Sequence, residues 1–138
     1  MEPRYLILLG AAIVGLFGTA HLYLTYVGDK LRPRNPGLQA SMDLVHPGIT
    51  RQTTMWRAWV GFNVSHSLCL ILFGLVYGYL ALVHPDWLFA SLFLQLVGLA
   101  LLGILVLLAR LYWFSTPLIG ASLAFLSYLA GLVLAWRS

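Results

Sequence analysis

Residues 87 to 113 read WLFASLFLQLVGLALLGILVLLARLYW and carry a single charge, Arg110, in 27 positions. A helix needs about 20 mostly apolar residues to cross the hydrocarbon core of a bilayer, so this stretch is long enough to span one. Three further runs qualify: Tyr5 to Val27, Trp56 to Val83, and Leu118 to Trp136. The acidic residues Glu2, Asp29, Asp43 and Asp86 all fall outside these runs. The 138 residues are 61% hydrophobic and only 9% charged, where a soluble domain carries roughly 25% charged residues. Lipid must therefore solvate most of the chain. The fold expected is an all-α integral membrane protein: a single domain, residues 1–138, forming a four-helix up-down bundle.

The connections are unequal. His84-Pro85-Asp86 and Phe114-Ser115-Thr116-Pro117 are tight reversals in which proline stops the preceding helix. Residues 28–55 form the one substantial polar loop. Within it Asn35-Pro36-Gly37 reads as a turn. Leu38, Met42 and Val45 then recur at helical spacing, as expected of a short helix in the membrane interface. His46-Pro47-Gly48 ends that piece, and Thr53 or Thr54 is placed to cap the second span.

Lys and Arg fix the expected orientation. Lys30, Arg32, Arg34, Arg51, Arg57 and Arg110 lie on the side of the long loop, and Arg4 and Arg137 on the other. Six against two places the loop in the cytoplasm and both termini outside. Aromatic residues mark the same boundaries: Tyr5, Trp87 and Trp136 at outer ends, Tyr26, Trp56, Trp59, Tyr112 and Trp113 at inner ends. The net charge of +4 is concentrated beside the spans, which fits anionic lipid headgroups rather than nucleic acid. Met-Glu-Pro-Arg lacks the features of a cleaved signal peptide, so the first run is expected to remain a span. The lone Cys69 rules out an intrachain disulfide and reads as a small buried hydrophobe.

Small and polar residues at helical spacing mark the faces that pack together in lipid. The first span offers Ala11, Gly15 and Gly18, with His21 and Thr25 beside them. The second offers Trp59, Asn63, His66, Ser67, Leu70, Gly74 and Tyr77. Ser91, Gln95 and Gly98 serve the third, and Gly120, Ala124, Ser127 and Gly131 the fourth. No span reads as broken, which argues against a transporter.

An ionisable residue inside a membrane is a functional hypothesis by default. At about 1.5 Å rise per residue, His21 and Asn63 lie roughly 9 to 10 Å from the inner surface and His66 about 15 Å. His21, Asn63, His66 and Ser67, with Gln95 as a further member, are expected to meet in the inner half of the bundle. Three readings fit them: a self-satisfied hydrogen-bond network, a site for a lipid or quinone framed by Trp56, Trp59 and Tyr23, or redox and metal chemistry. The last fits least. A depth offset of roughly 6 Å between the imidazoles does not suit two axial ligands of one haem, and no carboxylate or thiolate completes a zinc site. Nor does any membrane-embedded acid complete a serine-histidine-acid set. Arg57 and Arg51 read as snorkelling anchors, or as headgroup contacts together with Lys30, Arg32 and Arg34.

The strings GTAHLYLTYVGDKLRPR (18–34), MDLVHPGITRQTTMWRAW (42–59) and GFNVSHSLCLILFGL (61–75) resemble a family of small four-span bacterial membrane proteins without an assigned activity. In span count and size the chain is loosely similar to DoxX/DoxD-type proteins. The resemblance implies a bacterial inner-membrane setting and no particular reaction. The expectation is thus a non-enzymatic protein holding a lipid or other lipophilic ligand through His21, Asn63, His66 and Arg57, with Trp56 and Trp59 at the entrance and no resident cofactor or metal. The alternatives are a homo-oligomer or accessory subunit of a larger membrane complex, and, third, a membrane redox enzyme.

Overall fold

A computed structural model describes residues 2 to 137 of the chain. Six helices follow in order: α1 (Pro3–Tyr26), α2 (Pro36–Leu44), α3 (Met55–Val83), α4 (Pro85–Ala90), α5 (Leu92–Tyr112) and α6 (Ser115–Arg137). No strand occurs among the described residues. Four of the helices, α1, α3, α5 and α6, are long and apolar enough to cross a membrane. The chain is accordingly an all-α, multi-pass membrane protein built on a four-helix bundle.

Local chemistry sets the helix ends. Proline stands at the start of α1, α2 and α4, where its missing N–H would have no partner anyway. Asn35 caps α2 by accepting from the Gly37 N–H at 2.9 Å. Thr54 caps α3, its Oγ1 accepting from the Arg57 N–H at 3.3 Å. Of the two threonines the sequence offered, the cap is thus Thr54. After α1 the chain reverses through Gly28 at φ +88°, a left-handed conformation that favours glycine.

The third span differs from expectation. It is not one helix over 87–113: Ser91 is extended (φ −100°, ψ 99°) and divides α4 from α5. Its Oγ caps α5 by accepting from the Leu94 N–H at 3.3 Å. The 21 residues of α5 rise about 32 Å, enough for the hydrocarbon core by themselves.

The chain divides into two compact units, Met1–Phe17 with Leu70–Ser138, and Gly18–Cys69; α1 and α3 contribute to both. In the first unit the expected small-residue stripes do the packing. A Cβ on Gly74 of α3 would lie 2.8 Å from the Cα of Gly15 and 2.9 Å from the carbonyl oxygen of Ala11, so the two backbones touch. A Cβ on Gly10 would lie 2.9 Å from the Ala124 carbonyl of α6. The Tyr128 ring of α6 and the Tyr77 ring of α3 fill the space a side chain would need at Gly98 of α5. Ile7, Ala11, Leu102, Ala124, Tyr128 and Leu132 are fully buried here. Leu9, Leu16, Leu75, Phe93, Leu107 and Leu126 face outward, as lipid-facing positions must.

In the second unit, α2 stands within the loop and its chain is tied back to α3. The Met55 N–H donates to the Val45 carbonyl at 2.8 Å, and a 2.7 Å hydrogen bond joins His46 Nδ1 to the Thr53 carbonyl. The indole N–H of Trp59 donates to the Leu31 carbonyl at 3.1 Å. Leu38, Leu44, Val45 and Ile49 are exposed around α2, a pattern suited to an interfacial helix.

Candidate functional site

Within Gly18–Cys69 the turn of α1 around His21 faces the turn of α3 around Asn63. A 2.9 Å hydrogen bond joins His21 Nε2 to Asn63 Oδ1. The amide orientation of Asn63 follows from its other end, where Nδ2 donates to the Trp59 carbonyl at 2.8 Å. Oδ1 therefore accepts, and Nε2 of His21 carries the proton it donates. In neutral imidazole this leaves Nδ1 as the unprotonated nitrogen, a hydrogen-bond acceptor. The tautomer is thus fixed by a backbone carbonyl two links away.

His66 lies one turn beyond Phe62 on α3, its ring centroid 5.5 Å from that of His21 with the planes at 81°. Sequence arithmetic placed the two rings about 6 Å apart in depth, and the edge-to-face contact accommodates an offset of that kind. Hydroxyls close the cluster: Thr25 donates to the His21 carbonyl at 2.7 Å and Ser67 to the Asn63 carbonyl at 2.9 Å. Ser67 is fully buried, while His21, Asn63 and His66 are each half-buried. Both histidines therefore keep part of their surface accessible.

His21, Asn63, His66 and Ser67 are thus brought together as expected, and Trp59 joins them through its carbonyl. Trp56, Arg57 and Tyr23 make no hydrogen bond or ring contact with the imidazoles among the described residues. Arg57 is exposed, and the bond it makes to Thr54 uses its backbone N–H. No group of three or more His, Cys, Asp or Glu residues suited to a metal occurs among the described residues. Cys69 is exposed rather than buried, because it lies on the outer surface of α3 beside Leu68 and Leu72.

Gln95 does not belong to this cluster. It sits in the other unit, 3% exposed, one turn into α5. Its Nε2 donates to the Phe89 carbonyl at 2.7 Å and to the Leu88 carbonyl at 3.3 Å, the groups released where α4 ends. Its Oε1 accepts from the indole N–H of Trp136 at 2.8 Å. Tyr77 donates to the Leu94 carbonyl at 2.7 Å, and Tyr128 to the Gln95 carbonyl at 3.3 Å. Gln95 and Ser91 thus satisfy backbone groups that the break releases, as an apolar solvent requires, and Tyr77, Tyr128 and Trp136 add hydrogen bonds around them. The sequence signal for this network was available: Ser91 and Gln95 lie one turn apart in a run longer than one crossing needs. The chain matches no family model, no curated protein and no solved structure in the three comparisons made.

Proposed function

We propose that this is a multi-pass protein of the bacterial inner membrane, its long loop cytoplasmic and its termini outside, that holds a lipid or other lipophilic ligand at His21, Asn63 and His66. One observation carries the reading: His21, half-buried and bonded to Asn63 through Nε2, stands in ring contact with His66 on otherwise apolar, membrane-length helices. A polar group facing hydrocarbon is costly unless something hydrogen-bonds to it. His21 Nδ1, left as an acceptor by the bond to Asn63, suits a ligand that presents a hydroxyl or N–H at the end of an apolar body, such as a quinol or a lipid headgroup. The self-satisfied network accounts for Nε2 of His21 and for Asn63, and it leaves that acceptor unused. The six-to-two distribution of Lys and Arg supports the orientation.

The full chain, purified in mild detergent from its membrane, is expected to carry a lipophilic compound that organic extraction and mass spectrometry recover in near-stoichiometric amount. Asn63→Leu frees His21 to rotate and swap tautomer, so the recovered amount should fall severalfold while helix content stays unchanged. His66→Gln should lower it as well. Protein that carries nothing beyond the bulk lipid composition, with both variants indistinguishable from it, would overturn the proposal.

A further inference from the structure

We infer that the unit Gly18–Cys69 also seats one acyl chain of an anionic phospholipid in the groove between α2 and the first turns of α3, with the phosphate held by Lys30 and Arg32. This seat goes beyond the imidazole site and does not depend on it. The groove has a volume of about 210 Å³ and is lined by Met42, Met55, Ala58, Trp59 and Phe62. Residues 55, 58, 59 and 62 share one face of α3, and Met42 of α2 forms the facing wall. Every lining side chain is apolar or aromatic, and the two methionines are flexible enough to follow a mobile chain.

The rim supplies the charge. Trp59, whose ring lines the groove, donates its indole N–H to the Leu31 carbonyl. That bond anchors the loop to α3 at Leu31, which has a cation on each side, Lys30 and Arg32. A turn closed by the Arg32 N–H on the Asp29 carbonyl at 3.0 Å fixes the segment further. The unit as a whole carries five cations, Lys30, Arg32, Arg34, Arg51 and Arg57, against two carboxylates, Asp29 and Asp43. None of the five is ion-paired among the described residues, where the ion pair found is Arg4 with Glu2. An apolar slot beside two exposed, unneutralised cations matches an amphiphile with a negative head. A zwitterionic lipid would bring its own positive charge to the same rim.

The test is native mass spectrometry of the full chain in detergent, titrated with phosphatidylglycerol or phosphatidylcholine bearing identical acyl chains. The anionic lipid should bind more tightly by on the order of tenfold, since a basic residue near an anionic headgroup is worth about fivefold. Lys30→Gln with Arg32→Gln, both at exposed positions, should bring the two lipids to parity. Met42→Asp, on the loop helix outside the spans, should weaken both. Excess inorganic phosphate should displace neither, because the chain in the groove supplies affinity that a free anion lacks. His66→Leu should leave the preference intact, and retention there would separate this seat from the imidazole site even if that site proved empty. Equal binding of the two lipids by the native chain would overturn the inference. So would a preference that survives in the double variant, or one abolished by His66→Leu alone.

Discussion

At the level of single residues, two side chains of the same chemistry do different work. Gln95 closes three backbone or indole partners while almost wholly buried, whereas Asn63 closes two while half-buried. Gln95→Leu strands the Leu88 and Phe89 carbonyls and the Trp136 N–H, and should cost about 2 kcal/mol or more. Asn63→Leu should cost about 1 kcal/mol, typical of one interhelical hydrogen bond in a membrane. Thermal denaturation of both variants in one detergent gives the ranking, and a larger loss for Asn63→Leu would contradict it. Gly74→Ala should also destabilise, by about 1 to 3 kcal/mol, because its Cβ meets the backbone of α1 rather than a flexible side chain. Gly61→Ala, which meets open space, should be neutral or stabilising in the same measurement. The glycine pattern was legible in the sequence. What Gln95 does was not, since its two main-chain partners are carbonyls made available only by the break at Ser91.

At the level of elements, helix ends follow local rules that the sequence displays openly. Asn35, Pro36 and Thr54 mark their termini by residue type alone, and the structure uses them so. Ser91 reads in the sequence as one residue of the small, polar packing stripe of the third span, and nothing beside it marks it as a cap. Ser91→Ala removes the side-chain acceptor for the Leu94 N–H and should cost about 1 kcal/mol. Amide exchange in detergent should then quicken at the first turn of α5, while the middle of that helix stays protected. Equal protection at Leu94 in the native chain and the variant would show that the cap does nothing. Contrary to the expectation that no span is broken, the third is interrupted at Ser91. Ser91 and Gln95 satisfy groups that the break frees, and Trp136 holds Gln95 in place, which gives the break a structural role of its own.

For the molecule as a whole, four helices of membrane length imply that successive connections alternate sides. The loop of residues 28–55 and the connection near Thr116 then share one side; Glu2 and the connection near Asp86 share the other. That much was legible from apolar length and charge count, because both are sums over many residues and tolerate local errors. The imidazole site was only partly legible: depth arithmetic brought His21, Asn63 and His66 together, but it gave neither the tautomer nor the outward placement of Arg57 and Cys69. The most direct test of the four-span account uses single cysteines at Glu2, Ser41, Asp86 and Thr116 in a Cys69→Ser background, probed with a membrane-impermeant thiol reagent. The account predicts that Glu2→Cys and Asp86→Cys react in intact cells, and that Ser41→Cys and Thr116→Cys react only after permeabilisation. Labelling of Ser41→Cys and Glu2→Cys from the same side would contradict it.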